Sequence, residues 1–265
     1  MDREIATKGT KSTKGRHLVS VLCLLCLLWL FPSSGSGLAR QARSTKPLDE
    51  MLDTLGGQVF LDAEDIHTSG RVYAFARGDL SGLDTFADYI KFPDMERTEF
   101  GGPKFKTITI NRGKQGMKVE GKKDPIEQTP GEVAEFQKGF KTSLDYVLRF
   151  VIDDKKTTIQ NLGTEMIDFK RTDVIELRDP DKNRIRFYVD RESHLPVKLQ
   201  VRRNDDPKLR EEQYSNWHKF QGINTPLFIS RYTDGVKTME IRAETAIYNS
   251  GLADTLFTQL NPATK

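Results

Sequence analysis

The chain has 265 residues, with 41 Lys plus Arg against 38 Asp plus Glu, 37% hydrophobic residues, 30% charged residues and 2 Cys. That length fits one large domain or two small ones; the polar average excludes a multi-span membrane protein, and 15 Phe with 7 Tyr are too many for a disordered chain. The absence of any long single-sign charge block argues against a dedicated nucleic-acid binder.

Residues 1–39 stand apart. Arg3, Lys8, Lys11, Lys14 and Arg16 precede an apolar run over 18–31, followed by Pro32, Ser33, Ser34, Gly35, Ser36 and Gly37. The run is shorter than the roughly 20 residues of a membrane-spanning helix, so it reads as a secretory signal peptide cut before Arg40. The other reading is an uncleaved anchor that tethers the same domain on the same side of the membrane. Cys23 and Cys26 lie inside the run without the small residues of a lipoprotein cleavage site, so no lipidated cysteine is expected. The segment holds five basic and two acidic side chains, which leaves 36 of each sign in residues 40–265. That remainder reads as one neutral, cysteine-free domain stabilised by packing.

In chain order, Pro47, Leu48, Met51, Leu52 and Leu55 recur at helical spacing and stop at Gly56 and Gly57. Strand-like runs follow over 66–78, 83–92, 104–111 and 115–120. Thr129, Pro130 and Glu132 then form an N-cap, a proline at the first helical position and a capping-box glutamate. The apolar stripe Val133, Phe136, Phe140, Leu144, Val147 and Val151 predicts one helix ending near Asp153. Further strands are expected over 157–169, 172–178, 184–190, 195–202, 211–220, 225–232 and 236–248, the last two joined at Asp234 and Gly235.

Several strands alternate: Ile185, Phe187 and Val189 against Arg184, Arg186 and Tyr188; Leu195, Val197, Leu199 and Val201 against Lys198, Gln200 and Arg202; Met239, Ile241, Ala243 and Ile247 against Lys237, Glu240, Arg242 and Glu244. This predicts an antiparallel sheet of about ten to eleven strands with one apolar face. Ten strands would span roughly 48 Å, and two helices about 10 Å across cover less than half of that, so the sheet must curl around them. The concavity is then either collapsed core or a ligand pocket. Its candidate lining is Phe136, Phe140, Leu144, Val147, Phe187, Val189, Leu199, Trp217, Met239 and Ile241, with core packing as the plainer role for Phe136, Phe140 and Trp217.

Chemistry-bearing patterns are sparse. His67, His194 and His218 are far apart, and neither an H-E-x-x-H helix nor a G-x-S-x-G elbow occurs, so no enzyme, cofactor or metal is expected. Asp179, Asp181 and Asn183, with Asp190 further on, mimic a calcium loop. Arg184 at the glycine position and the flanking strands instead point to a solvated hairpin turn.

The order of a helix ending in Leu55, Gly56 and Gly57, a strand, a mid-chain helix and a strand meander resembles the bacterial outer-membrane lipoprotein-sorting (LolA/LolB-like) family. So do Phe187 to Asp190 leading into Leu195 and Pro196, then Tyr214 to Phe220, Gly222, Pro226, Asn249, Leu256, Phe257 and Pro262. Ser193 and His194 depart from the Thr and Gly that relatives often carry in that turn. The resemblance implies an incomplete antiparallel β-barrel with a helical lid in its concave face. It also implies a periplasmic, non-catalytic carrier holding acyl chains of lipid or lipoprotein during transient membrane contact. An arginine near a lid contact is implied too, with Arg71 and Arg77 on the early strand as unassigned candidates. The same scaffold also serves as a protein-interaction or envelope-sensor module, with a self-filled cavity and an envelope protein as partner.

Overall fold

The structure is a computed structural model and describes residues 45–102 and 106–258. The expected signal segment with Cys23 and Cys26, and Pro262, lie outside these residues. Helix α1 (Lys46–Leu55) buries Leu48, Met51, Leu52 and Leu55, the stripe its sequence spacing predicts, and a short turn of helix α2 (Gln58–Leu61) buries Phe60.

Six strands follow: β1 (Asp65–Ala76), β2 (Asp79–Lys91), β3 (Met95–Phe100), β4 (Thr107–Arg112), β5 (Gln115–Glu120) and β6 (Ile126–Glu127). After a helical segment come β7 (Thr158–Ile167), β8 (Lys170–Arg178), β9 (Arg184–Asp190), β10 (Pro196–Arg202), β11 (Leu209–Phe220), β12 (Ile223–Thr233) and β13 (Val236–Tyr248). All thirteen form one open antiparallel sheet in the order β6-β5-β4-β3-β2-β1-β13-β12-β11-β10-β9-β8-β7. The architecture is an incomplete antiparallel β-barrel with helices, as the family resemblance implies, and its sheet is antiparallel, as the alternation and short turns predict. Two strands exceed the ten to eleven expected. β6 is only two residues long, and β3 reads Met-Glu-Arg-Thr-Glu-Phe, where charge masks the period-two signal because polar groups occupy both faces.

The helical segment joins the two sheet edges, and here the expected single helix is corrected. Helix α3 (Pro130–Lys141) starts with the anticipated capping box: Thr129 Oγ1 accepts from the Glu132 amide at 3.3 Å, and Glu132 accepts from the Thr129 amide at 2.7 Å. Such a cap contributes about 1 kcal/mol. The helix stops at Thr142, whose hydroxyl bonds back to the Lys138 and Gly139 carbonyls. Ser143 then caps a new turn, α4 (Leu144–Tyr146), accepting from the Tyr146 amide, and the chain continues as a π-helical turn, Val147–Val151. Two hydroxyl residues in succession satisfy backbone groups locally, which divides a stripe that hydrophobic spacing alone makes continuous.

The main core joins α1, Phe60, Leu144, Val147, Leu148, Val151 and Ile152 to the inward rows of β8 to β10. Ile175, Leu177, Ile185 and Phe187 are each 0% exposed. A smaller cluster lies on the outer side of β4 and β5, where Phe257 covers Ile108, Ile110 and Val119. The Asp65 carboxylate anchors that C-terminal strap by accepting from the amides of Ser250, Gly251 and Leu252 at 2.8 to 3.1 Å.

The alternation over β13 holds for Met239, Ile241 and Ala243 but not for Ile247. β1 and β13 shift register between Ser69 and Gly70, so the inward row continues as Ala246 and Tyr248 while Ile247 is 43% exposed. Gly70 makes this bulge possible, since a Cβ there would lie 2.2 Å from the Arg242 carbonyl oxygen.

Candidate functional site

The helices do not fill the concavity evenly. α1, α2 and the π turn pack on β8 to β10, whereas α3 overhangs β1 to β3 and β11 to β13 and leaves a cavity of about 690 Å³ beneath it. That volume falls within the roughly 300–1,000 Å³ of small-molecule sites. Phe86, Ile90 and Phe92 of β2 and its exit, with Ile66, Ile229, Ile241 and Trp217, form part of the apolar wall. The roof is a ladder of rings: Phe136 and Phe140 are 5.5 Å apart between centroids, Phe140 and Tyr146 5.7 Å, and Phe92 lies 6.4 Å from Phe140. Arg149 steadies the far end. Its guanidinium lies 4.0 Å from the Phe60 ring centroid and 4.6 Å from that of Phe92, pairs with Asp145 at 3.0 Å, and donates to the Phe60 carbonyl.

Of the candidate residues, the structure brings Phe136, Phe140, Leu144, Leu199, Trp217 and Ile241 to this cavity. Met239 borders an adjoining cavity of about 340 Å³, which Phe136 and Ile241 also border. Val147, Phe187 and Val189 line neither; they lie in the closed core at 0%, 0% and 1% exposure. The difference has a simple cause: α1 and the π turn seal the sheet at β8 and β9, so alternation there marks core rather than cavity. Phe136, Phe140 and Trp217 are half-buried rather than closed in. Trp217 and Tyr214, three residues apart, both border the cavity because Asn216 between them takes a left-handed conformation, φ 54°.

Sequence reading missed the polar end of the site. Asp88 on β2, Glu96 on β3 and Arg231 on β12 border both cavities, and Glu212 on β11 borders the larger one. Arg231 Nε donates to Glu212 Oε1 at 2.8 Å, Tyr214 donates to Glu212 at 2.7 Å, and Thr98 donates to Asp88 at 3.1 Å. Burial raises the Asp88 carboxyl to about 6; burial, and then the Asp88 charge, push Glu96 well above the usual carboxylate range. Burial likewise raises the Tyr214 phenol, and Glu212 raises Arg231. One signal for these positions existed. In Phe86, Asp88 and Ile90 a carboxylate interrupts an apolar period-two row, which marks an inward charge.

The remaining polar candidates lie elsewhere. Arg71 is 60% exposed and faces Glu244 at 3.8 Å, and Arg77 occupies the β1–β2 turn. His67 stacks on Tyr89 at 4.2 Å, His194 faces Glu50 at 3.6 Å, and His218 contacts Asn216 at 3.1 Å. No histidine, cysteine or lysine is among the described residues bordering the larger cavity. Asp179 accepts from the Asn183 amide at 2.8 Å and from its side chain at 2.7 Å, a turn-stabilising arrangement.

Comparison with protein-family models and with curated proteins gives no match. Solved structures do match. A DUF1329 family protein from Desulfovibrio piger is 17% identical with a TM-score of 0.55, covering 80% of this chain and 98% of its own. An outer membrane lipoprotein-sorting protein domain from Vibrio parahaemolyticus is 12% identical with a TM-score of 0.53, covering 79% and 95%. A LolA superfamily protein from Nitrosomonas europaea is 15% identical with a TM-score of 0.50, covering 80% and 96%. The chain thus has the LolA-like fold, in agreement with the resemblance read from its sequence.

Proposed function

We propose that this protein is an exported, non-catalytic carrier that holds acyl chains of a lipid or lipoprotein in the cavity beneath α3. The observation that carries this reading is the cavity itself: about 690 Å³, walled by aromatic and branched side chains, and roofed by a helix whose connection is interrupted at Thr142 and Ser143. Burying a chain of methylenes there needs no charged anchor, since each contributes about 0.8 kcal/mol. A periplasmic location and transient membrane contact fit such cargo and the leader-like residues 1–39. The half-buried state of Phe136, Phe140 and Trp217 favours the carrier over an interaction module with a self-filled cavity, because rings that fill their own core are closed from solvent.

Titration calorimetry with neutral monoacylglycerols of increasing chain length tests the reading. Each added methylene should tighten binding by roughly 0.8 kcal/mol, about fourfold in Kd, until the cavity is full. Trp217 fluorescence should change on binding because this ring borders the cavity. Lack of saturable binding by every chain length, with folded and delipidated protein, would overturn the carrier and leave the interaction module.

A further inference from the structure

Charges around the larger cavity are mostly matched. Glu132 pairs with Lys118 at 2.9 Å, Glu135 with Arg203 at 2.7 Å, Asp145 with Arg149 at 3.0 Å, Glu212 with Arg231 at 2.8 Å, and Arg210 with Asp206 at 2.6 Å. Asp88 and Glu96 differ: neither makes an ion pair among the described residues, although both border the two cavities where these adjoin. A third acceptor stands beside them. Asn111 faces Glu96 directly in the β3–β4 ladder, borders the smaller cavity, is 3% exposed, and its Oδ1 has no hydrogen-bond partner among the described residues.

We infer that the smaller cavity is a headgroup subsite for a primary ammonium, carried by an amphiphile whose chain occupies the larger one. The inference rests on the acyl-chain reading and adds the chemistry of the polar end. When ionised, two carboxyls without an ion pair and a lone amide carbonyl are all acceptors; Arg231, the one cation bordering both cavities among the described residues, acts on both carboxyls but donates to Glu212. An ammonium brings three donors and one positive charge in a compact group, which matches this set. A carboxylate or phosphate would add negative charge to it. No group of three or more His, Cys, Asp or Glu side chains that could hold a metal occurs among the described residues, and two carboxyls with one amide oxygen fall short of the roughly six to eight oxygens that calcium takes. Burial raises both carboxyls and the Asp88 charge raises Glu96 further, while the Arg231 charge opposes the shift in each, so a cation brought closer than Arg231 would favour their ionised forms.

Matched decyl ligands test the inference on the folded, delipidated chain: decanol, decylamine and decanoate, by calorimetry near neutral pH. Decylamine should bind at least tenfold tighter than decanol, and decanoate more weakly than either. In Asp88→Asn with Glu96→Gln the amine-to-alcohol ratio should fall to within about twofold, a loss the same as removing the charge attraction. Asp181→Asn, on the exposed β8–β9 turn, should keep the parent ratio. Binding of decanol with no preference for the amine overturns the ammonium subsite and leaves the carrier intact, whereas no binding of any decyl ligand or of any monoacylglycerol overturns the carrier itself. Lysophosphatidylethanolamine and a palmitoylated peptide with a free amine, each against its N-acetylated form, separate the lipid from the peptide source. Preference for the free amine in either supports the inference, and preference in neither overturns it.

Discussion

Replacing Asp88 by Asn removes a charge that the fold destabilises, and the consequence can be worked out for stability. Burial raises this carboxyl from 3.8 to about 6 in the folded chain, against the opposing hydrogen bond from Thr98. The native state then binds the proton more tightly than the unfolded chain. The contribution of this group to stability is full below about pH 4 and is lost as pH rises through about 6. A difference of about two pKa units corresponds to about 3 kcal/mol, and water entering the cavity reduces it, so a gain of about 1–3 kcal/mol is expected for Asp88→Asn near pH 7.5. Asparagine retains a carbonyl for the Thr98 donor, so the variant should match the parent near pH 4. Urea unfolding of both proteins in parallel across this range measures the difference. Taking the difference cancels Glu132, held down at about 2 by Lys118 and the Thr129 cap, and Asp206, held down at about 2 by the Lys208 amide and Arg210, which shift stability with pH in the opposite sense. A gap that does not change with pH, or a variant weaker than the parent near pH 7.5, refutes the reasoning.

Phe187→Ala, at a fully closed position, should lower stability by about 3–5 kcal/mol in urea unfolding, while Phe140→Ala, over the cavity, should cost less than half as much and weaken monoacylglycerol binding in calorimetry. Gly70→Ala should cost about 1–3 kcal/mol in thermal unfolding because its Cβ meets the backbone of β13. Gly82→Ala, where the nearest atom is the Ala74 Cβ at 3.7 Å, should stay within about 0.5 kcal/mol of the parent.

Much of the fold was legible because period-two alternation and turn residues are local signals. The Thr129 capping box, the α1 stripe and the Asp234–Gly235 turn, with φ of 50° and 80°, all follow from neighbouring residues. What escaped depends on distant partners. The outward turn of Ile247 is set by a register shift against Gly70, and the division of the mid-chain helix by hydroxyls that compete with the helix backbone. For the site, the aromatic roof could be read from α3, but the hydrophobic rows of β9 looked the same whether they faced a core or a cavity. Only the positions of α1 and the π turn separate Phe187 from Trp217. The carboxyls escaped because charge in a strand ordinarily faces water, and Glu96 lies in a strand that its charges conceal.

The strand order also bears on how the chain reaches this state. Among the described residues every ladder but one joins strands adjacent in sequence; the exception is β1 with β13, where Ile66 pairs with Tyr248. Closing a loop of roughly 180 residues costs about 3 kcal/mol more entropy than closing a hairpin of about five, from the logarithmic dependence on length. The two meanders should therefore assemble quickly on either side, and their docking along β1 and β13 should set the folding rate. Until β13 has been synthesised, β1 carries one row of unpaired amides and carbonyls along its length. During that interval it is the edge most open to pairing with another chain.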